Sequence, residues 1–199
     1  FNAEARVARL LARKGASGVL DEIGTLKSGY VKRIYFERLF GSTTLDAATL
    51  ARAIHQAGSE ITSDYERAST LVSAARLGLP DKACRLAFAE ATRSMKSDYE
   101  KRRAISALIK TGSVTPEVAG VIVDSARTIE SDYELAELFV ELVESGGLAG
   151  APLDAYFTAV ATIGSDYERS RVLKAVLAAP SPGLDVRLRV IRSVSNMKS

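Results

Sequence analysis

The chain contains no tryptophan, one cysteine, one histidine, two methionines and five prolines in 199 residues. With Cys84 alone there is no internal disulfide, and with His55 as the single histidine there are too few soft ligands for a zinc or iron site. Neither residue has a neighbouring catalytic set, so the sequence offers no nucleophile–base pair, metal site or cofactor site, and this segment reads as noncatalytic. No apolar run approaches the roughly 20 residues that cross a bilayer, and Phe1-Asn2-Ala3-Glu4-Ala5-Arg6 lacks the basic-then-apolar order of a signal peptide. A net charge of +3 and a pI near 9.0 fall far short of the dense Lys/Arg field that holds nucleic acid. At 47% hydrophobic and 26% charged, the chain has ordinary globular composition.

What is present is a repeat. Ser-Asp-Tyr-Glu begins at Ser63, Ser97, Ser131 and Ser165, a constant step of 34 residues, and a worn copy, Ser28-Gly29-Tyr30-Val31, lies 35 before the first. A fixed period of this size marks supersecondary units that cannot bury their apolar faces without neighbours. The expected units are 28–62, 63–96, 97–130, 131–164 and 165–198, after a partial leading unit, 1–27, with helices at about 3–14 and 19–26. Asn196-Met197-Lys198-Ser199 repeats Ser94-Met95-Lys96-Ser97, so a further unit is expected to be truncated at Ser199 and the chain to be a piece of a larger protein.

Each unit reads as two helices, A and B. In the third full unit Ser97 is an N-cap residue with Glu100 three positions on, a capping box, and Asp98 favours the positive end of the helix. Gly112 stops helix A, Thr115 caps helix B and Pro116 suits its first position. Gly78 with Pro80-Asp81, Ser145-Gly146-Gly147 through Pro152, and Pro180-Ser181-Pro182-Gly183 punctuate the other units. Short connections favour antiparallel neighbours. Helix A carries apolar columns at Phe36, Leu71, Ile105, Phe139, Leu173 and at Leu39, Ala74, Leu108, Leu142, Val176; helix B at Leu50, Cys84, Val118, Pro152, Val186 and at Ile54, Phe88, Ile122, Tyr156, Val190. Leu26, Ile61, Met95, Ile129, Ile163 and Met197 anchor the joints, and Ala57, Ala91, Ser125, Ala159 and Ser193 are small enough for close helix approach. The period is tetratricopeptide length, but that repeat's Trp, Leu-Gly and Pro pattern is missing. The expected fold is all-α: a single domain forming a right-handed α-solenoid of stacked antiparallel hairpins, HEAT-like with an unusually short period.

The repeated motif residues Ser63, Tyr65, Glu66, Ser97, Tyr99, Glu100, Ser131, Tyr133, Glu134, Ser165, Tyr167 and Glu168 read first as structure. Capping accounts for Ser and Glu, the helix dipole for Asp, and a first-turn Tyr can pack its ring between units. Acid–base catalysis requires one carboxylate in a special environment, which four equivalent copies do not supply. At the seventh position Arg103, Glu137 and Arg171 alternate in sign, predicting ion pairs across two boundaries, with the fourth-position glutamates joining Arg67, Lys101, Arg102 and Arg169 in a wider network. Cys84 is expected in the core and His55 packed or at its edge. The B helices carry Arg52, Arg85, Arg93, Arg127, Arg187, Arg189 and Arg192, mostly outward. They form a candidate binding face, with Arg93 and Arg127 in one column as a possible clamp and the last three as a basic cluster. Because acidic residues such as Glu137, Glu141 and Glu144 interleave, the surface suits a protein or peptide partner better than nucleic acid, the alternative.

The strings SDYEKRRAISAL (97–108), SDYERSRVLKAVL (165–177) and GVLDEIGTLKSGYVKRIYFERLF (18–40) resemble the short helical repeats that follow the membrane-peptidase region in some bacterial proteins related to beta-lactamase-regulator sensors. The resemblance spans nearly the whole chain and implies a helical accessory or sensor module in a bacterial, extracytoplasmic setting. It carries over no active site: that family's His-Glu-x-x-His zinc motif has no counterpart, since His55 is followed by Gln56.

Overall fold

A computed structural model of the chain describes residues 2–112 and 114–195. Among them the protein is all-helical, with eleven α-helices, one 3-10 turn and no strand. The helices are α1 (Ala3–Thr25), α2 (Gly29–Ser42), α3 (Ala47–Glu60), α4 (Asp64–Ala75), α5 (Lys82–Thr92), α6 (Asp98–Ile109), α7 (Pro116–Ala126), α8 (Asp132–Glu144), α9 (Leu153–Thr162), α10 (Asp166–Ala178) and α11 (Leu184–Ser195); the 3-10 turn is Gly147–Gly150. The leading pair is run together as α1 but breaks at Gly15, whose φ of 65° with ψ of −170° is non-helical. No helix among the described residues is long and apolar enough to cross a membrane.

The chain divides into two compact units, Phe1–Met95 and Lys96–Ser199, at a joint between repeats. In the first, α2 packs on α1 and α4, and α3 on α1 and α5; in the second, α6 packs on α8, α8 on α10, α7 on α9 and α9 on α11. Helices of the same kind therefore lie side by side. The apolar columns produce this arrangement: Phe36, Leu71, Ile105, Phe139 and Leu173 on the A helices are buried, as are Ile54, Phe88, Ile122, Tyr156 and Val190 on the B helices. The anchors Ile61, Met95, Ile129 and Ile163 are buried; Leu26 is half-buried, and Met197 and Ser199 lie outside the described residues.

Two expectations need correction. Pro152 is not a core residue but the exposed N-cap of α9, and Leu148 from the preceding 3-10 turn is buried. That turn lies against the start of α7, where a Cβ on Gly150 would come within 2.9 Å of Pro116, so only glycine permits the approach. The first-turn tyrosines do not pack between hairpins: Tyr30, Tyr65, Tyr99, Tyr133 and Tyr167 are each more than half exposed. They sit at the third repeat position, outside the buried face of the A helices.

Candidate functional site

The repeated motif divides its work differently from a capping box. Each Ser hydroxyl does cap its helix, accepting from the backbone N–H three residues on at 3.3 to 3.5 Å. At two joints, however, the Ser backbone N–H is taken by an Asp of the preceding unit. Asp98 Oδ2 accepts from Glu130 and Ser131 N–H at 3.0 and 2.8 Å, while Asp132 accepts from Gly164 and Ser165 N–H at 2.9 and 2.7 Å. The Glu side chains pair with cations. Glu66 pairs with Arg33 and Glu134 with Arg102, each from the preceding A helix, while Glu100 and Glu168 pair with Arg103 and Arg171 of their own helices at 2.9 and 2.7 Å.

Of the seventh-position column, Arg171 pairs with Glu137 of the preceding unit as expected, and the hydrogen bonds it donates to Glu137 and Glu168 hold its pKa above the ordinary arginine value. Burial works against the charge on Arg33, but Glu37 and Glu66 outweigh it and raise the pKa; Glu134 does the same for Arg102.

The fifth position departs from the expected surface network. Lys32, Arg67 and Lys101 are buried, and burial pulls the Arg67 pKa below its ordinary value. These cations reach the C-terminal ends of B helices, where the carbonyl dipoles point. Arg67 Nε donates to Ile61 O at 2.7 Å and Arg169 Nε to Ile163 O at 2.9 Å, while Lys101 contacts Ser125 O at 3.4 Å and the Thr128 hydroxyl, and Lys32 pairs with Glu60. A cation in four of the five copies of this column was the available signal, but it reads equally as a solvated face.

The outward arginines of the B helices are largely engaged within the protein. Arg52 pairs with Asp21 at 2.6 Å, Arg93 with Glu90 at 3.1 Å and Arg127 with Asp124 at 4.0 Å. Arg187 Nε donates to Pro182 O at 3.0 Å, and Arg189 pairs with Asp154 and Asp185 at 2.6 and 2.9 Å. Arg85 is half-buried, its Nε without a hydrogen-bond partner among the described residues. Arg93 and Arg127 belong to different compact units. Arg192 shares an open pocket of about 410 Å³ with Arg169, Arg189, Thr158, Ser193 and the Phe157 ring.

The more continuous exposed feature is aromatic. In the second unit Tyr99, Tyr133 and Tyr167 occupy the same position of three helices packed in sequence, α6, α8 and α10. The Arg102 guanidinium lies 5.5 Å from the Tyr99 ring centroid while holding Glu134; Arg33 lies 5.3 Å from Tyr30 while holding Glu66. Tyr30 and Tyr99 thus flank inter-helix ion pairs rather than being swallowed by the core.

Among the described residues no three His, Cys, Asp or Glu side chains converge to hold a metal ion. Cys84 is buried, its thiol donating to Ala47 O at 3.2 Å, and His55 is exposed on α3. No family model matches the chain, and neither curated proteins nor solved structures provide a match.

Proposed function

We propose that the chain is a noncatalytic right-handed α-solenoid that binds an extended protein or peptide segment, serving as the interaction or sensing portion of a larger bacterial signalling protein. The 34-residue period, the packing of like helices within each compact unit and the Asp-mediated joints support the stacked architecture. The observation that carries the binding role is the repeated exposure of Tyr99, Tyr133 and Tyr167 on adjacent helices. Tyrosine supplies a large contact area with a polar tip and is enriched at interfaces. Packed helices stand about 8–10 Å apart, close to one turn of an extended polyproline II segment, three residues at about 3.1 Å each, which returns every third side chain to the same face. Successive rings can therefore engage every third residue of one ligand. The B-helix arginines Arg85, Arg93, Arg127, Arg187, Arg189 and Arg192 are the second candidate face, their charge reduced by the acidic partners described above. The extracytoplasmic sensor setting rests on the sequence resemblance.

A displayed library of extended peptides selected against the protein tests this reading. Tyr99→Ala with Tyr133→Ala is expected to weaken a selected peptide by about tenfold or more, the scale of an interface hot spot, with circular dichroism unchanged. Retention of affinity there, with loss on substituting Arg187, Arg189 and Arg192, assigns binding to the B helices instead. Steep salt-dependent binding of single or double strands with no peptide selected places the protein among nucleic-acid binders.

A further inference from the structure

In the second compact unit, exposure changes abruptly at equivalent positions of the last hairpin. Late in the A helices, Ile109 and Val143 are 6% and 4% exposed, whereas Leu177, at the same position of α10, is 50% exposed. In the B helices Val123 and Phe157 are 0% and 8% exposed, but Ile191 is 62%. One turn further, Ala126 and Val160 are fully buried, but Val194 is 53% exposed. The residue types are comparable. What differs is the neighbour: α8 packs on α6 and α9 on α7, then α10 on α8 and α11 on α9. Leu184 and Leu188 extend the apolar face of α11 at four- and three-residue spacing to Ile191, and both are exposed. A contiguous exposed apolar patch on a small protein marks an interaction surface.

We infer that this face of α10 and α11 is a docking surface for a further helical hairpin of the same 34-residue repeat. Its A helix lies along Leu177, as α10 lies along Val143, and its B helix along Ile191 and Val194, as α11 lies along Phe157 and Val160. The occupant follows from continuity with an interface already formed twice: each earlier hairpin uses these positions to receive a neighbour of its own kind. In a stack of repeats the interface terms are nearest-neighbour, so one added hairpin protects mainly the hairpin it covers. The inference shares the stacked architecture with the proposed function but does not require peptide binding. A protein that binds no peptide leaves it standing.

The test compares the chain with one carrying a second copy of residues 132–164 after Ser199, using hydrogen exchange at the α11 amides. Local opening of α11 should be suppressed and its exchange slowed by about tenfold or more, while a polar, unstructured extension of equal length leaves exchange unchanged. Leu177→Glu with Ile191→Glu in the extended chain should restore the faster exchange. The same pair in the unextended chain, where the face is bare, should leave helicity intact. Unchanged α11 exchange in the extended chain overturns the inference. So does a concentration-dependent dimer of the unextended chain that Ile191→Glu disperses, because a second copy would then be the occupant.

Discussion

Tyr156 in α9 is wholly buried, its ring 4.7 Å from Phe139 and 5.5 Å from Phe157 between centroids, and its hydroxyl has no hydrogen-bond partner among the described residues. The other units fill this position with Ile54, Phe88, Ile122 and Val190, so the packing requires bulk and not an oxygen. An unpaired buried hydroxyl gives up hydration without recompense, pushing the phenol pKa well above its ordinary value. Tyr156→Phe is expected to stabilise the protein by about 1 kcal/mol, seen as a higher urea midpoint at unchanged slope; a lower midpoint would show that the hydroxyl is satisfied. Cys84 offers a pH-dependent counterpart. Burial, reinforced by Asp81, pushes its thiol up to about 11 from 9.0. Since the folded pKa is raised, the contribution is complete below the unfolded value and is lost as pH rises through about 11. Over that window the stability of the native chain should fall more steeply than that of Cys84→Ala, and native Cys84 should react with a thiol reagent only as fast as the chain opens.

At the scale of the helix joint, Asp does more than its sequence position advertises. The spacing of Ser and Glu identifies the start of every A helix, and the structure places helices there. The same spacing also promises a Glu returning to its own Ser N–H. It conceals that Asp98 and Asp132 reach Ser131 and Ser165 from the previous hairpin, because that contact is made 33 residues away and has no local signature. Two N–H groups end on each carboxylate, whereas a Ser hydroxyl receives one at 3.3 Å. Asp132→Ala should therefore cost more than Ser165→Ala: about 1.5–3 kcal/mol against about 1 kcal/mol, by denaturant unfolding. Equal losses would mean that the Asp acts only through the helix dipole. The fifth-position cations show the same limit of local reading. Leu135 cannot reach the carbonyls at the end of α9, and there Arg169, from the following A helix, contacts Ile163 O instead. At the end of α7, before Leu135, Lys101 contacts Ser125 O from its own hairpin. Arg67 and Arg169 both reach a carbonyl at the end of the preceding unit's B helix, whereas Lys32 and Lys101 serve the B helix of their own unit, a division visible only once the helices are packed.

For the whole molecule, the proposed stacking predicts that one unit is exchangeable for the next, and removing residues 131–164 tests this with the joint chemistry preserved. Glu130 would then precede Ser165, so Asp98 would accept from Glu130 and Ser165 N–H in place of Glu130 and Ser131. Arg102, now on Glu134, would face Glu168 at the same motif position. Leu173 and Val176 would take the repeat positions after Ile105 and Leu108 that Phe139 and Leu142 now hold, a loss of aromatic volume at the first that leaves the apolar pattern intact. The shortened chain should keep its helicity per residue by circular dichroism and unfold cooperatively at a lower midpoint, since one hairpin and one interface are gone. Removing only 131–147, half a period, would join α7 to α9 without an intervening A helix and strand Asp98 and Arg102; that chain should lose helicity well beyond the 17 residues removed. Equal tolerance of both deletions would show that burial alone, without register, holds the hairpins together. Loss of structure in the full-period deletion would show that some residue of the fourth unit, with its 3-10 turn and the Gly150 approach to Pro116, is irreplaceable.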